Sequence, residues 1–149
     1  MLRLSKKADY ALMAMKHLAL RPPNSSLSAR EIAEEFNIPL ELMAKVLQRL
    51  ARQGLLSSHQ GTRGGYHLAR SAEAISVAQV IQAIDGPVTV TACSTGDDLC
   101  HQYSRCNVRD PLARIKDRIL QALHTVSLSE LARDVEPAMP VTLRKGSRL

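Results

Sequence analysis

The chain has 149 residues, 45 % of them apolar, enough for one core of ordinary size with room for an appended element. Its net charge of +6 points to anionic partners, while three tyrosines and one phenylalanine are too few for the base-stacking platforms of single-strand or RNA binders. The opening MLRLSKKADY has no apolar run after its charges, and Lys16 and Asp85 interrupt the later apolar stretches before the roughly 18 residues of a membrane span, so a cytoplasmic protein without membrane attachment is expected.

The first helix is expected from Lys6 to Leu20, with Ser5 as N-cap. Ala11, Met15 and Leu18 share a face that Tyr10, Leu12 and Met13 widen, so this helix should be largely buried. Pro22 and Pro23 stop it. Ser28 and Glu31 have the spacing of a capping box and open a second helix, with Ile32 and Phe36 turned inward. Asn37-Ile38-Pro39 makes the turn into a third helix, from Leu40 to Gln53, which Gly54 ends. Met43, Val46, Leu47 and Leu50 form its core side, and Glu41, Lys45, Gln48 and Arg52 a polar stripe opposite.

Two strands follow, Leu55 to His59 and Tyr66 to Ala69, flanking Gly61-Thr62-Arg63-Gly64-Gly65. A fourth helix begins at Ser76, boxed by Gln79, buries Val77, Val80, Ile81 and Ile84, and ends at Gly86-Pro87. Asp110-Pro111 reads as an N-cap followed by proline at the first helical position. The fifth helix carries Leu112, Ile115, Ile119, Leu123 and Val126 in a narrow stripe, and Ser127 with Glu130 opens a short sixth. The last residues, with Arg144, Lys145 and Arg148, read as a mobile basic tail. The expected organisation is a DNA-binding unit over 1–87, a cysteine loop over 88–109, a dimerisation helix with a short following helix over 110–135, and the tail over 136–149.

Two short helices joined by a tight turn, then a glycine-tipped ribbon, define a mainly α fold built on a winged helix-turn-helix, a reader of double-stranded DNA. Charge agrees: from Leu40 to Arg70 there are five basic residues (Lys45, Arg49, Arg52, Arg63, Arg70) and one acid, Glu41, leaving only +2 for the rest of the chain. Glu41 and Lys45 lie near the start of the third helix, where base edges are read. Arg49 and Arg52 lie nearer the backbone, and Arg63 sits at the wing tip, where it can enter a narrow minor groove. The fifth helix is long, and its stripe is too narrow for full burial, so pairing with a second copy is expected. A homodimer would bind a pseudo-palindromic site.

Cys93, Cys100 and Cys106 are the chain's three cysteines, separated by six and then five residues. In a reducing compartment, thiolates bunched in one loop suggest a metal or cluster before a disulfide framework. Structural zinc favours pairs two to four residues apart, so the wide spacing suits an iron–sulfur cluster better. The alternative is a zinc- or thiol-based redox regulator without a cluster. No fourth cysteine exists, and Asp9, Asp97, Asp98 and His101 are the chemically possible further donors. A Gly-rich nucleotide motif and an acid–base constellation are both absent from the sequence, so an enzyme is not expected.

LSKKADYALMAM, SAREIAEEFNIPLELMAKVLQRLARQGLL, GTRGGYHLAR and VIQAIDGPV, followed by three spaced cysteines, resemble the bacterial IscR/NsrR iron–sulfur regulators, often grouped as the Rrf-two type. The resemblance covers about Leu2 to Leu131. It implies a homodimer, a long crossing dimerisation helix and a 2Fe–2S or 4Fe–4S cluster, with Cys93, Cys100 and Cys106 matching the three ligands. IscR-like members carry a fourth-ligand histidine where this chain has Arg109, which cannot ligate. NsrR-like members complete the site with an aspartate from the first helix of the other subunit, and Asp9 matches it. The base-reading glutamate of IscR-like members matches Ala44, and a wing arginine matches Gln60, so their target sequence does not carry over.

Overall fold

The structure is a computed structural model that describes residues 3–62, 64–91 and 100–133. Among the described residues, six α-helices and one two-stranded antiparallel ribbon make the fold: α1 (Lys6–Ala19), α2 (Ala29–Glu35), α3 (Leu40–Arg52), β1 (Leu56–His59), β2 (Gly65–Leu68), α4 (Val77–Asp85), α5 (Arg109–Thr125) and α6 (Leu128–Ala132). The expected mainly helical winged helix-turn-helix is therefore present. No helix among the described residues is long and apolar enough to cross a membrane.

The caps read from sequence set the boundaries. Ser5 accepts from the Ala8 N–H at the start of α1. The reciprocal boxes Ser28–Glu31 and Ser76–Gln79 open α2 and α4. At the turn between α2 and α3, Asn37 takes φ +51°, and the Asn37 and Ile38 N–H groups donate to Glu34 and Ala33. Two such bonds around a left-handed residue satisfy the carbonyls that a helix end would otherwise orphan. Gly54, at φ +75°, ends α3 in the same way, with Leu55 donating to Leu50.

Helices α1, α3 and α4 pack on one another around a core containing Met15, Leu18, Ile32, Met43, Leu47, Leu50, Val80 and Ile84, all buried. Burying each large apolar side chain contributes about 1.5–3 kcal/mol relative to exposure. The expected core face of α3 is the observed one, since Met43, Val46, Leu47 and Leu50 are buried. The ribbon registers Leu56 with Leu68 and His59 with Gly65, and the backbone of Leu27 pairs with Tyr66 along the outer side of β2.

Two details differ from expectation. Asp110 does not cap α5: the cap position is Val108, without a side-chain bond, and Asp110 lies inside the first turn, paired with Arg109 at 2.9 Å. Pro111 is accommodated because first-turn N–H groups have no intrahelical acceptor to lose. Secondly, α6 leaves the axis of α5 and returns to α1, so that Leu128 is fully buried in the core of the DNA-reading unit. Backbone bonds fix that return: Val77 donates to Val126, and Leu128 donates to Ile75.

Candidate functional site

The outward side of α3 carries Glu41, Lys45, Gln48 and Arg52, all exposed, as its period requires. Arg49 behaves differently. Its Nε donates to the Ala83 carbonyl of α4 at 2.8 Å, so this guanidinium is anchored against the neighbouring helix. Arg49, Lys45, Gln48 and Arg52 line a cleft of about 270 Å³ together with Lys7 from α1. Sequence reasoning did not select Lys7. A signal was available: Lys6 and Lys7 place two cations in the first turn of a helix, against its macrodipole, a local cost that calls for an explanation.

The wing is framed by two glycines without room for a side chain. A Cβ on Gly64 would lie 2.5 Å from the His59 carbonyl oxygen, and one on Gly65 would lie 2.6 Å from the Leu27 backbone. Arg63 lies outside the described residues, while its neighbours Gln60, Gly61 and Thr62 are exposed. On the ribbon, the rings of His59 and His67 stack with centroids 4.6 Å apart.

Cys100 and Cys106 are half-buried and unbridged, and they flank a short 3-10 turn over Tyr103–Arg105. The Tyr103 N–H donates to the Cys100 carbonyl, tying the first thiol's backbone to that turn. Cys93, Asp97 and Asp98 lie outside the described residues. Arg109, at the place of the histidine ligand of IscR-like members, has a structural task. It donates to Asp110, donates to the Tyr103 carbonyl at 3.3 Å, and lies 4.6 Å over the Tyr103 ring. The hydrogen bond with Asp110 raises Arg109 above its ordinary value and holds Asp110 below the usual carboxylate range. Asp9 is half-buried in the first turn of α1 and His101 is exposed. Among the described residues of the single chain, no three His, Cys, Asp or Glu side chains converge on a metal-sized site.

α1 and α4 are joined at their ends. The Asp85 carboxylate accepts from both the backbone N–H and the hydroxyl of Ser5. Ser5 therefore caps its own helix and clamps the last residue of α4. Beside this junction, a groove of about 680 Å³ runs between Leu4, Ile81, Pro87 and the α5 residues Ile119 and Leu123. No residue of α5 is buried, and Ile115 is 47 % exposed.

A family model, Rrf2, described as an iron-dependent transcriptional regulator, matches residues 4–134. The chain is 36 % identical over 135 residues to the HTH-type transcriptional regulator IscR of Xenorhabdus nematophila, covering 91 % of this chain and 82 % of that one. CymR (YrzC), the global cysteine regulator of B. subtilis, has a similar structure, with a TM-score of 0.73 and 26 % identity over 89 % of this chain and 97 % of that chain. T. potens IscR shares the fold, with a TM-score of 0.68 and 24 % identity over 93 % of each chain. These matches agree with the motif resemblance and with the winged helix-turn-helix seen here, and the chain belongs to the Rrf2 family of transcriptional regulators, DNA-binding proteins and not enzymes.

Proposed function

We propose that this chain is a homodimeric, cytoplasmic transcription regulator. It reports cluster supply, iron, nitric oxide or redox state through an iron–sulfur cluster, 2Fe–2S or 4Fe–4S. The observation that carries this reading is the position of the cysteine segment. It runs from the end of α4, which backs the recognition helix, to the start of α5, whose apolar stripe is only partly covered. A change at the thiols therefore lies next to both the DNA-reading unit and the surface offered to a second subunit.

The donor chemistry fits. Cys100 and Cys106 are unbridged thiols in one short segment, thiolates are soft ligands suited to iron–sulfur chemistry, and Cys93 supplies the third. Asp9 from the other subunit is the proposed fourth donor, since Arg109 carries a fixed charge and is committed to Tyr103 and Asp110. When bound, such a group supplies redox activity and an occupancy that follows iron supply. On DNA, Glu41 and Lys45 face base edges, Arg52 and Arg49 lie at the backbone, and Arg63 reaches from the wing tip. The α5 stripe pairs the two subunits across a pseudo-palindromic duplex.

A second reading is a zinc- or thiol-based redox regulator without a cluster, and likeness to Staphylococcus aureus CymR, solved in an oxidized form, favours it. Absorption of protein purified without oxygen, with iron and acid-labile sulfide counts, separates the two. The cluster reading expects a coloured protein that Cys106→Ala bleaches or makes labile. Colourless protein holding one zinc per chain, or none, supports the second.

A further inference from the structure

We propose that the cleft between α1 and α3 is a seat for a backbone phosphate of the bound duplex, with Lys7 of α1 as a cation supplied from outside the helix-turn-helix and Arg49 as its preset partner. The proposal rests on the duplex-binding reading above and extends it to one subsite.

Four cations, Lys7, Lys45, Arg49 and Arg52, line this cleft, and among the described residues no carboxylate does. Like charges gathered without a counter-charge repel one another, and an anion in the cleft relieves that repulsion. Lys7 adds a second cost, because it stands in the first turn of α1, where the positive end of the helix disfavours a cation. Both costs are met if the missing anion is a phosphodiester. The apolar floor is supplied by Leu42, Val46 and Ile84, which fixes the cleft's depth without adding charge.

Arg49 makes the seat specific in direction. With its Nε–H held by the Ala83 carbonyl, the guanidinium plane is set before DNA arrives, so less side-chain freedom is lost on binding. Lys45 and Arg52 belong to the exposed stripe of α3, so the cleft borders the surface that enters the major groove. The occupant is thus a phosphate flanking the groove that α3 reads. Phosphate contacts fix register on the duplex without reading sequence, so Lys7 should act alike on every duplex.

The test is titration of the full chain, across a range of salt concentrations, with two duplexes: one selected from a random library by the parent protein, and a scrambled version of it. Lys7→Gln should lower the log–log salt slope by about 0.9 and weaken binding about fivefold at physiological salt, equally on both duplexes. Arg49→Gln in the same background should remove about one further unit of slope. Lys16→Gln removes the same charge from the last turn of α1 and should leave the slope unchanged. An unchanged slope in Lys7→Gln overturns the seat while duplex binding stands. So does a loss confined to the selected duplex, which would make Lys7 a sequence reader, or an equal loss in Lys16→Gln, which would reflect net charge alone. A parent protein without salt-dependent binding to either duplex would remove the duplex-binding reading and the seat with it.

Discussion

The unit formed by α1–α4, the ribbon and α6 encloses a buried core, though Met13, Leu20 and Leu40 on it are exposed, and α5 contributes no buried residue. In the first region each stripe meets another: the face of α3 is closed by α1 and α4, and Leu128 returns from the far side of α5 to complete the core. In the second, seventeen residues of helix carry an apolar stripe with no buried member. Both stripes obey the same helical period. The contrast shows that amphipathic spacing reveals which face needs cover, while only the fold reveals whether the chain itself supplies it.

Three measurements break or sharpen this contrast. The largest effect is expected at α5, because its half-buried stripe has its proposed full cover in a second copy. Replacing Ile119 and Leu123 with lysine should turn dimers into monomers in sedimentation velocity, with helix content kept. A dimer of parental affinity would show that these residues do not form the contact. In the core, Leu47→Ala should cost about 2–5 kcal/mol in denaturant unfolding, because a fully buried side chain leaves a cavity. Ile115→Ala, at a half-exposed site, should cost far less within one subunit. Equal losses at the two positions would erase the distinction between the regions.

The smallest effect concerns pH within the first region. The Ser28 backbone N–H, then the Ser28 side chain, hold the Glu31 carboxyl below its ordinary value. A depressed folded value means a contribution fully present above the unfolded pKa and lost as pH falls through the folded one. Glu31→Gln keeps a capping-box acceptor without the titration. Unfolding midpoints at about pH 7 and about pH 3 should therefore fall more for the parent than for Glu31→Gln. Parallel falls would assign the acid sensitivity to other carboxylates.

Most of the fold was legible because local rules set it. Ser5, Ser28 and Ser76 cap where their spacing indicates, and Asn37 and Gly54 take the left-handed turns expected of them. The misplaced start of α5 has a local cause as well: a proline is tolerated throughout the first turn, and Asp110 paired with its neighbour Arg109. The site was less legible where it depends on distant partners. Arg49 looks like any backbone-facing arginine until Ala83, 34 residues away, accepts its Nε–H. Lys7 joins the cleft only because α1 packs beside α3, and nothing in the spacing of either helix gives their relative position. Arg109 presents the same lesson: sequence shows that it cannot ligate, and the structure adds that it organises the turn between two thiols.

The crowding at Gly64 and Gly65 has a consequence for how this fold can diverge. A side chain at either position would collide with main chain, which cannot swing aside as a side chain can. The wing is thus divided into a base closed to side chains and a tip where Gly61, at φ +127°, also favours glycine while Gln60 and Thr62 are exposed. Among the described residues of this hairpin tip, new sequence preferences can be written at Gln60 and Thr62, while Gly61, Gly64 and Gly65 stay fixed around them.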